Sequence, residues 1–256
     1  MGLLVLSGIL VITVALRFCP LYKAFGFFTP SAGDNLSRNR YWGRSLRFFG
    51  WLVWILMTHH FLIRPWFLDW GAPQKIQELT LSGDHFTDGG HHSRAVLIDA
   101  SPDVLWPWIM QLGQERGGFY SYTFLENLFR ADMHNVYAWR PELQQPRLAG
   151  DTIWLADEER YNGAGYQIVA QINPYESFVM VGGEDYARIV QGQKAKGLWA
   201  IYLYPEDRKL TWLIARSSNS PGMPRGDRFL RYLTFEVPHF IMEQKMLRTV
   251  KHLAEK

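Results

Sequence analysis

Apolar residues are spread unevenly along the 256-residue chain. Residues 2–16, GLLVLSGILVITVAL, carry no charge. Residues 46–63, LRFFGWLVWILMTHHFLI, form a second apolar run, with Arg47 at its start and His59 and His60 near its end. A bilayer-spanning helix takes about 20 apolar residues, and somewhat shorter ones are tolerated. The pattern predicts spans at about 2–18 and 46–63. The rival for the first run is a signal peptide, but the run lacks a basic start and an A-x-A-like cleavage site. The rivals for the second are an interfacial helix and a core helix of the domain that follows. Trp51, Trp54, Trp66 and Trp70 suit an interfacial belt without deciding between span and surface.

Beyond Pro65 the chain turns polar. Gly71, Pro73, Gly83, Gly89 and Gly90 punctuate it, so residues 64–92 read as a linker or extended arm. Alternation over SRAVLID (93–99) predicts a strand. In ASPDVLWPWIMQLG, Ser101 is an N-cap, Pro102 takes the first helical position and Gly113 is a C-cap. Leu105, Trp108, Ile109 and Leu112 share one face of that helix, and Pro107 distorts its first turns. A second short helix is predicted over 121–130. Strands follow at DTIWLA (151–156), GYQIVAQI (165–172), SFVMVG (177–182), LWAIYLY (198–204) and LTWLIAR (210–216), separated by turn signals such as NPYE and PEDRK. Residues 183–196 are ambiguous, with YARIV a candidate further strand. Residues 217–227 read as a loop. Residues 228–255 read as helical, broken by Pro238, with Ile241, Met242, Met246, Val250 and Leu253 as the apolar stripe. An antiparallel sheet has a face to cover, and this last helix is the long amphipathic element that can cover it. The expectation is an α+β domain over 93–256, with room for a ligand between sheet and helix.

Hydrophobic residues make up 48% of the chain and charged residues 20%, which excludes a disordered chain. A net charge of +3 gives no case for a nucleic-acid partner. The lone cysteine, Cys19, rules out an internal disulfide and is either a palmitoylation site or an ordinary buried thiol. Arg17, Lys23, Arg38, Arg40, Arg44 and Arg47 lie between the two apolar runs, opposed by Asp34. Short basic loops stay in the cytoplasm. Two spans would then make this a multi-pass protein of the cytoplasmic membrane with its domain on the outer, periplasmic side. If the second run lies on the bilayer instead, the domain stays cytoplasmic.

Several stretches together resemble a known family. They are RPWFLDWGA (64–72), IDASPDVLWPWIMQLGQERGGFYSY (98–122), LENLFRADMHN (125–135), GDTIWL (150–155) and MEQKMLRTVKHLAE (242–255). They resemble the helix-grip superfamily of START lipid-transfer domains, polyketide cyclases and birch-allergen-like proteins (SRPBCC), within a membrane-anchored bacterial branch. The resemblance covers roughly residues 64–256. It implies a curved antiparallel sheet around a long C-terminal helix, here preceded by an N-terminal transmembrane hairpin (residues 1–63). It carries over no universal catalytic residue. Thr123 stands where the branch leads one to expect an acid, and the superfamily at large lacks the apolar N-terminal segments.

On that layout Gly113, Gly117 and Gly118 let two short helices form a V at one end of the sheet. Phe119 and Tyr120 then either plug the space beneath or line a ligand cavity, and the plug is the favoured reading for both. Tyr122 is evenly balanced between the two roles. The candidate ligand wall comprises Phe119, Tyr120, Tyr122, Trp139, Trp154, Trp199, Trp212, Met242 and Met246. Tyr122 and His134 are the candidates for proton transfer, although a lone loop histidine more often only forms hydrogen bonds. Asn127 is expected to bond backbone in the loop beyond it. His85, His91 and His92 fit no common metal-ligand spacing, so no metal is expected. No phosphate-binding or nucleophile-elbow motif is present, and no cofactor is expected.

The leading expectation is a membrane-anchored module that binds a hydrophobic small molecule such as a lipid, isoprenoid or polyketide, with the bilayer as second partner. The alternatives are a cyclase- or dehydratase-type enzyme, and a structural subunit docking to a membrane-protein partner. No residue set commits the chain to catalysis.

Overall fold

The computed structural model describes residues 38–219 and 235–256. The expected first span, Cys19 and residues 220–234 lie outside them. The chain divides at Pro65 into two units.

In the first unit, helix α1 runs Arg38–Thr58, and His59–Ile63 continue as a π-helical segment. The expected span at 46–63 is therefore not one α-helix. α1 begins far back in the basic stretch, and its regular hydrogen bonding gives way where the two histidines enter. Among the described residues no helix is long and apolar enough to cross a membrane. Phe49, Trp51, Val53, Trp54, Leu56, Phe61 and Leu62 are all exposed, so the apolar surface of this segment runs right round it.

The second unit, Trp66–Lys256, is built on a six-stranded antiparallel sheet. Its strands are β1 (His91–Asp99), β2 (Thr152–Trp154), β3 (Tyr166–Asn173), β4 (Ser177–Val181), β5 (Gly197–Pro205) and β6 (Leu210–Asn219), in the spatial order β1-β6-β5-β4-β3-β2. All pairs are antiparallel, and the first strand pairs with the last. Helix α2 (Arg64–Leu68) leads into the unit, and α3 (Gln74–Gln77) follows it. Between β1 and β2 lie α4 (Pro102–Met110) and α5 (Thr123–Leu128). Helix α6 (Gly183–Val190) occupies the ambiguous 183–196 stretch, where YARIV is helical and adds no strand. Helix α7 (Val237–Ala254) closes the domain, with Pro238 in its first turn, where a missing N–H costs nothing.

Side chains alternate along each strand, so the sheet has two covered faces. On the inner face Leu213, Ile201, Phe178 and Met180 pack with Leu105 and Ile109 of α4 and with Met246, Leu247 and Val250 of α7. On the outer face Ile214, Tyr202, Val179 and Val181 pack with Ala72 and Ile76, joined by Leu79, Phe86, Tyr186 and Ile189. From Ala72 onward the segment expected as linker or arm is thus laid over the outer face, with Ala72 and Ile76 buried, while Phe67 is buried against Phe240 of α7.

Arg216 fastens that cover. Its side chain is wholly buried on the outer face. It donates to Ser93 Oγ at 2.9 Å, to the Leu79 carbonyl at 2.8 Å, to the Ile76 carbonyl at 3.2 Å and to Asp84 Oδ2 at 2.7 Å. Asp84 Oδ2 also accepts from Leu81 N. A planar fork with five donors suits this set, whereas an ammonium does not. Arg216→Met leaves Asp84 and two carbonyls short of a donor and should cost about 3 kcal/mol in urea unfolding. Limited proteolysis should then cut first within 79–90, and Arg216→Lys should not restore protection.

Candidate functional site

The inner face carries ionised groups in an otherwise apolar interior. Arg94 on β1 and Glu243 on α7 form an ion pair at 2.6 Å, with side chains 6% and 2% exposed. Trp199 on β5 donates its Nε1 proton to Glu243 Oε1 at 2.6 Å. Arg94 Nε donates to the Phe67 carbonyl at 2.9 Å. His239, one turn before Glu243, lies with Nε2 3.8 Å from Glu243 Oε1 and Nδ1 3.4 Å from Arg94 Nη1. A guanidinium can only donate, so that contact is a hydrogen bond in the tautomer protonated at Nε2. Burial works to raise the Glu243 carboxyl, but the Arg94 charge, His239 and hydrogen bonds from Arg94 and Trp199 hold it below the ordinary range.

An aromatic row leads from this cluster toward the surface. Phe119 lies 5.8 Å from Trp199, Trp199 meets His239 edge-on at 5.8 Å, and His239 stacks on Phe235 at 5.1 Å. Phe235 is half exposed, and Trp199, His239 and Met242 are partly exposed. The cluster thus has a sealed floor, Arg94 and Glu243, and an accessible edge. Further along α7 the space is closed, because Met246, Leu247 and Val250 fill it against the sheet and α4.

The glycine-rich stretch forms a frame beside the cluster. Gly113 and Gly118 bridge each other through paired backbone hydrogen bonds of 3.1 and 2.9 Å. Gly118 has φ 75°, and a Cβ there would run into the Asn135 side chain and the His134 carbonyl. Tyr120 follows at φ 55°, wholly buried. Its hydroxyl accepts from Gln111 Nε2 at 3.0 Å, and burial pushes its pKa up. Asn135 Oδ1 accepts from Tyr120 N, and Ser121 Oγ donates to the Met242 carbonyl, which ties the frame to α7. Asn127 bonds both the N–H and the carbonyl of Met133, the loop-bracing role expected of it.

The candidate wall is divided by the structure. Phe119, Trp199, Met242 and Met246 lie at or beside the sheet–helix interface, and Tyr120 is packed into the core as a plug. Trp212 belongs to the outer face, where strand alternation puts it, and donates to Glu206. Trp154 follows the inward Ile153 and packs on Tyr166, away from α7. Trp139 is 54% exposed in a loop. Tyr122 is exposed beneath Lys245, and the His134 side chain is 80% exposed beside Asp132, so neither lines an enclosed site. Among the described residues no group of three His, Cys, Asp or Glu could hold a metal. A groove on the outer face, lined by Lys75, Ile76, Leu79, Tyr204, Pro205 and Glu206, is bridged by the Lys75–Glu206 ion pair.

Sequence reasoning missed Arg94, His239 and Glu243. His239, Glu243, Met246 and Val250 share the helical spacing of one face, and that was the available signal. Glu126 on α5 was also missed as a buried group. It is 6% exposed, its Oε2 has no hydrogen-bond partner among the described residues, and burial raises its pKa from 4.5 to about 7.

No family model matches the chain, and no curated protein matches it. Solved structures do show similarity. The Aha1 protein from Colwellia psychrerythraea, solved as a dimer, is 15% identical, with 64% of this chain and 96% of that one covered at a TM-score of 0.34. The self-sacrificing resistance protein CalC from Micromonospora echinospora is 12% identical, with 65% and 96% covered at 0.35. A polyketide-cyclase-like protein from Corynebacterium glutamicum is 12% identical, with 64% and 88% covered at 0.29. Similarities at this level supply no reading of function.

Two outcomes follow from the buried charges. Arg94→Met strands a buried carboxylate and should destabilise the domain by about 3–5 kcal/mol, whereas Arg94→Met combined with Glu243→Leu should recover most of the loss in a double-mutant cycle. For Glu126, the folded protein keeps a proton that the unfolded chain releases between pH 4.5 and about 7. Its contribution to stability therefore falls as pH rises through that window and then levels off. Glu126→Gln should flatten this slope in urea titrations and gain roughly 1–3 kcal/mol at pH 8.

Proposed function

We propose that the second unit binds an apolar small molecule bearing one polar group, seated at the accessible edge of the Arg94–Glu243–His239–Trp199 cluster, and that the first unit associates the protein with a membrane. The observation that carries the binding reading is an ion pair buried between sheet and helix. Desolvating two charges is costly, and apolar residues of similar volume would often serve stability as well. Perturbed, paired charges beside an apolar surface are the kind of polar anchor that orients a ligand in an otherwise hydrophobic site. Phe119, Trp199 and Met242 supply the apolar contact, and His239 Nε2 supplies a donor. The membrane reading rests on the exposed aromatic and aliphatic side chains that surround residues 49–62. Such a surface is stable in lipid or at its interface and costly in water.

The enzymatic alternative through Tyr122 and His134 lacks an enclosed site, since both side chains are exposed. The test is mass spectrometry of the full chain purified in mild detergent from membranes. An apolar compound should co-purify with the native protein and be lost from His239→Ala and Trp199→Ala, while Arg208→Ala, in the β5–β6 turn, retains it. Absence of any bound compound from the folded native protein would sink the binding reading, and failure to float with lipid vesicles would sink the membrane reading separately.

A further inference from the structure

Helix α5 is turned inside out. Its acid, Glu126, is buried, while Phe124, Leu128 and the adjoining Phe129 are 68%, 73% and 72% exposed. In water the reverse arrangement is expected. The rest of that end of the domain shares the character. On α7 the side away from Glu243, Met246 and Val250 carries Ile241, Lys245 and Arg248 at helical spacing. One flank of this stripe holds Tyr122, which lies under Lys245 at 5.8 Å and leads into α5. The other flank holds Trp70, which lies under Arg248 at 4.9 Å, and Trp66, which packs on Phe240 and is 59% exposed. Basic heads over aromatic rings, flanked by exposed apolar side chains, match the boundary between anionic headgroups and acyl chains.

From these observations we infer that this end of the domain, α5 together with the outer stripe of α7, docks onto an anionic membrane surface. The inference rests on the membrane reading above and adds an orientation to it. Trp66 is where the chain enters the domain. The opposite end, where the β5–β6 turn lies, holds Glu206 and Asp207 beside Arg208 and Lys209 and lacks that balance of charge. Docking would also set the accessible edge of the His239 cluster against the source of an apolar ligand.

The test uses the full chain with Cys19→Ser and a single introduced cysteine, either Leu128→Cys or Arg208→Cys, carrying an environment-sensitive fluorophore. The protein is reconstituted into vesicles of phosphatidylcholine, with or without phosphatidylserine. The fluorophore at position 128 should shift to the blue and be quenched by lipid-borne quenchers in phosphatidylserine vesicles, and that at 208 should not. The shift should diminish when salt is raised to about 1 M, where the screening length falls to about 3 Å, and in Lys245→Glu, whose near-ultraviolet circular dichroism shows the fold intact. Vesicle flotation with an unshifted fluorophore at 128 overturns the docking inference alone, whereas loss of flotation overturns the membrane reading itself. An equal shift in vesicles without phosphatidylserine overturns the anionic specificity.

Discussion

The packing of the closing helix on the sheet depends on a buried cation, Arg94. Arg94 sits on the edge strand β1 and reaches two separate pieces of chain: the Phe67 carbonyl at the entry to the domain, and the closing helix, where it meets Glu243 and, one turn earlier, His239. An edge strand has only one neighbour to hold it, here β6. Asp69 and Trp70 accept from the Ser93 and Ala95 N–H groups, and Arg94 adds the buried side-chain link that ties β1 to α7. Because the pair is dry, its geometry is enforced by the penalty for separation and not by any large net attraction. That makes it a device for position, which is what a ligand site needs.

Arg216 mirrors it. In the β1–β6 register Ser93 faces Arg216 and Arg94 faces Ala215, so the two guanidinium groups leave neighbouring positions toward opposite faces. One clamps the helix, the other clamps the arm. Each cation is partnered by a carboxylate, Glu243 for Arg94 and Asp84 for Arg216, and Arg216 adds two backbone carbonyls where Arg94 has one. The inner site keeps an accessible edge, while the outer one is closed.

Periodicity made the strands and both short helices readable in the sequence. SFVMV reads as a continuous apolar run because both faces of the sheet are covered there, and the glycines at 113 and 118 mark the bridge they form. Three things were not readable. YARIV is as apolar as a strand, and its helical state follows from packing Tyr186 and Ile189 on the outer face. The arm looked like a linker because glycine and proline dominate it, whereas Ile76 and the carbonyls that Arg216 grips give it a fixed place. The aromatic wall was read from residue type, and type does not say which face a strand residue occupies: Trp199 and Trp212 are alike in the sequence and lie on opposite sides of the sheet. Arg94 and Glu243 were passed over because charges are ordinarily placed outward.

The pairing of the first strand with the last has a consequence for synthesis. Until Leu210–Asn219 leave the ribosome, β1 has no neighbour, the arm has no Arg216 to grip it, and Arg94 lacks Glu243, which comes later still. Contacts so distant in sequence form late and slowly. The domain therefore stays open for most of its synthesis, and it closes around its buried charges only when its last strand and last helix arrive.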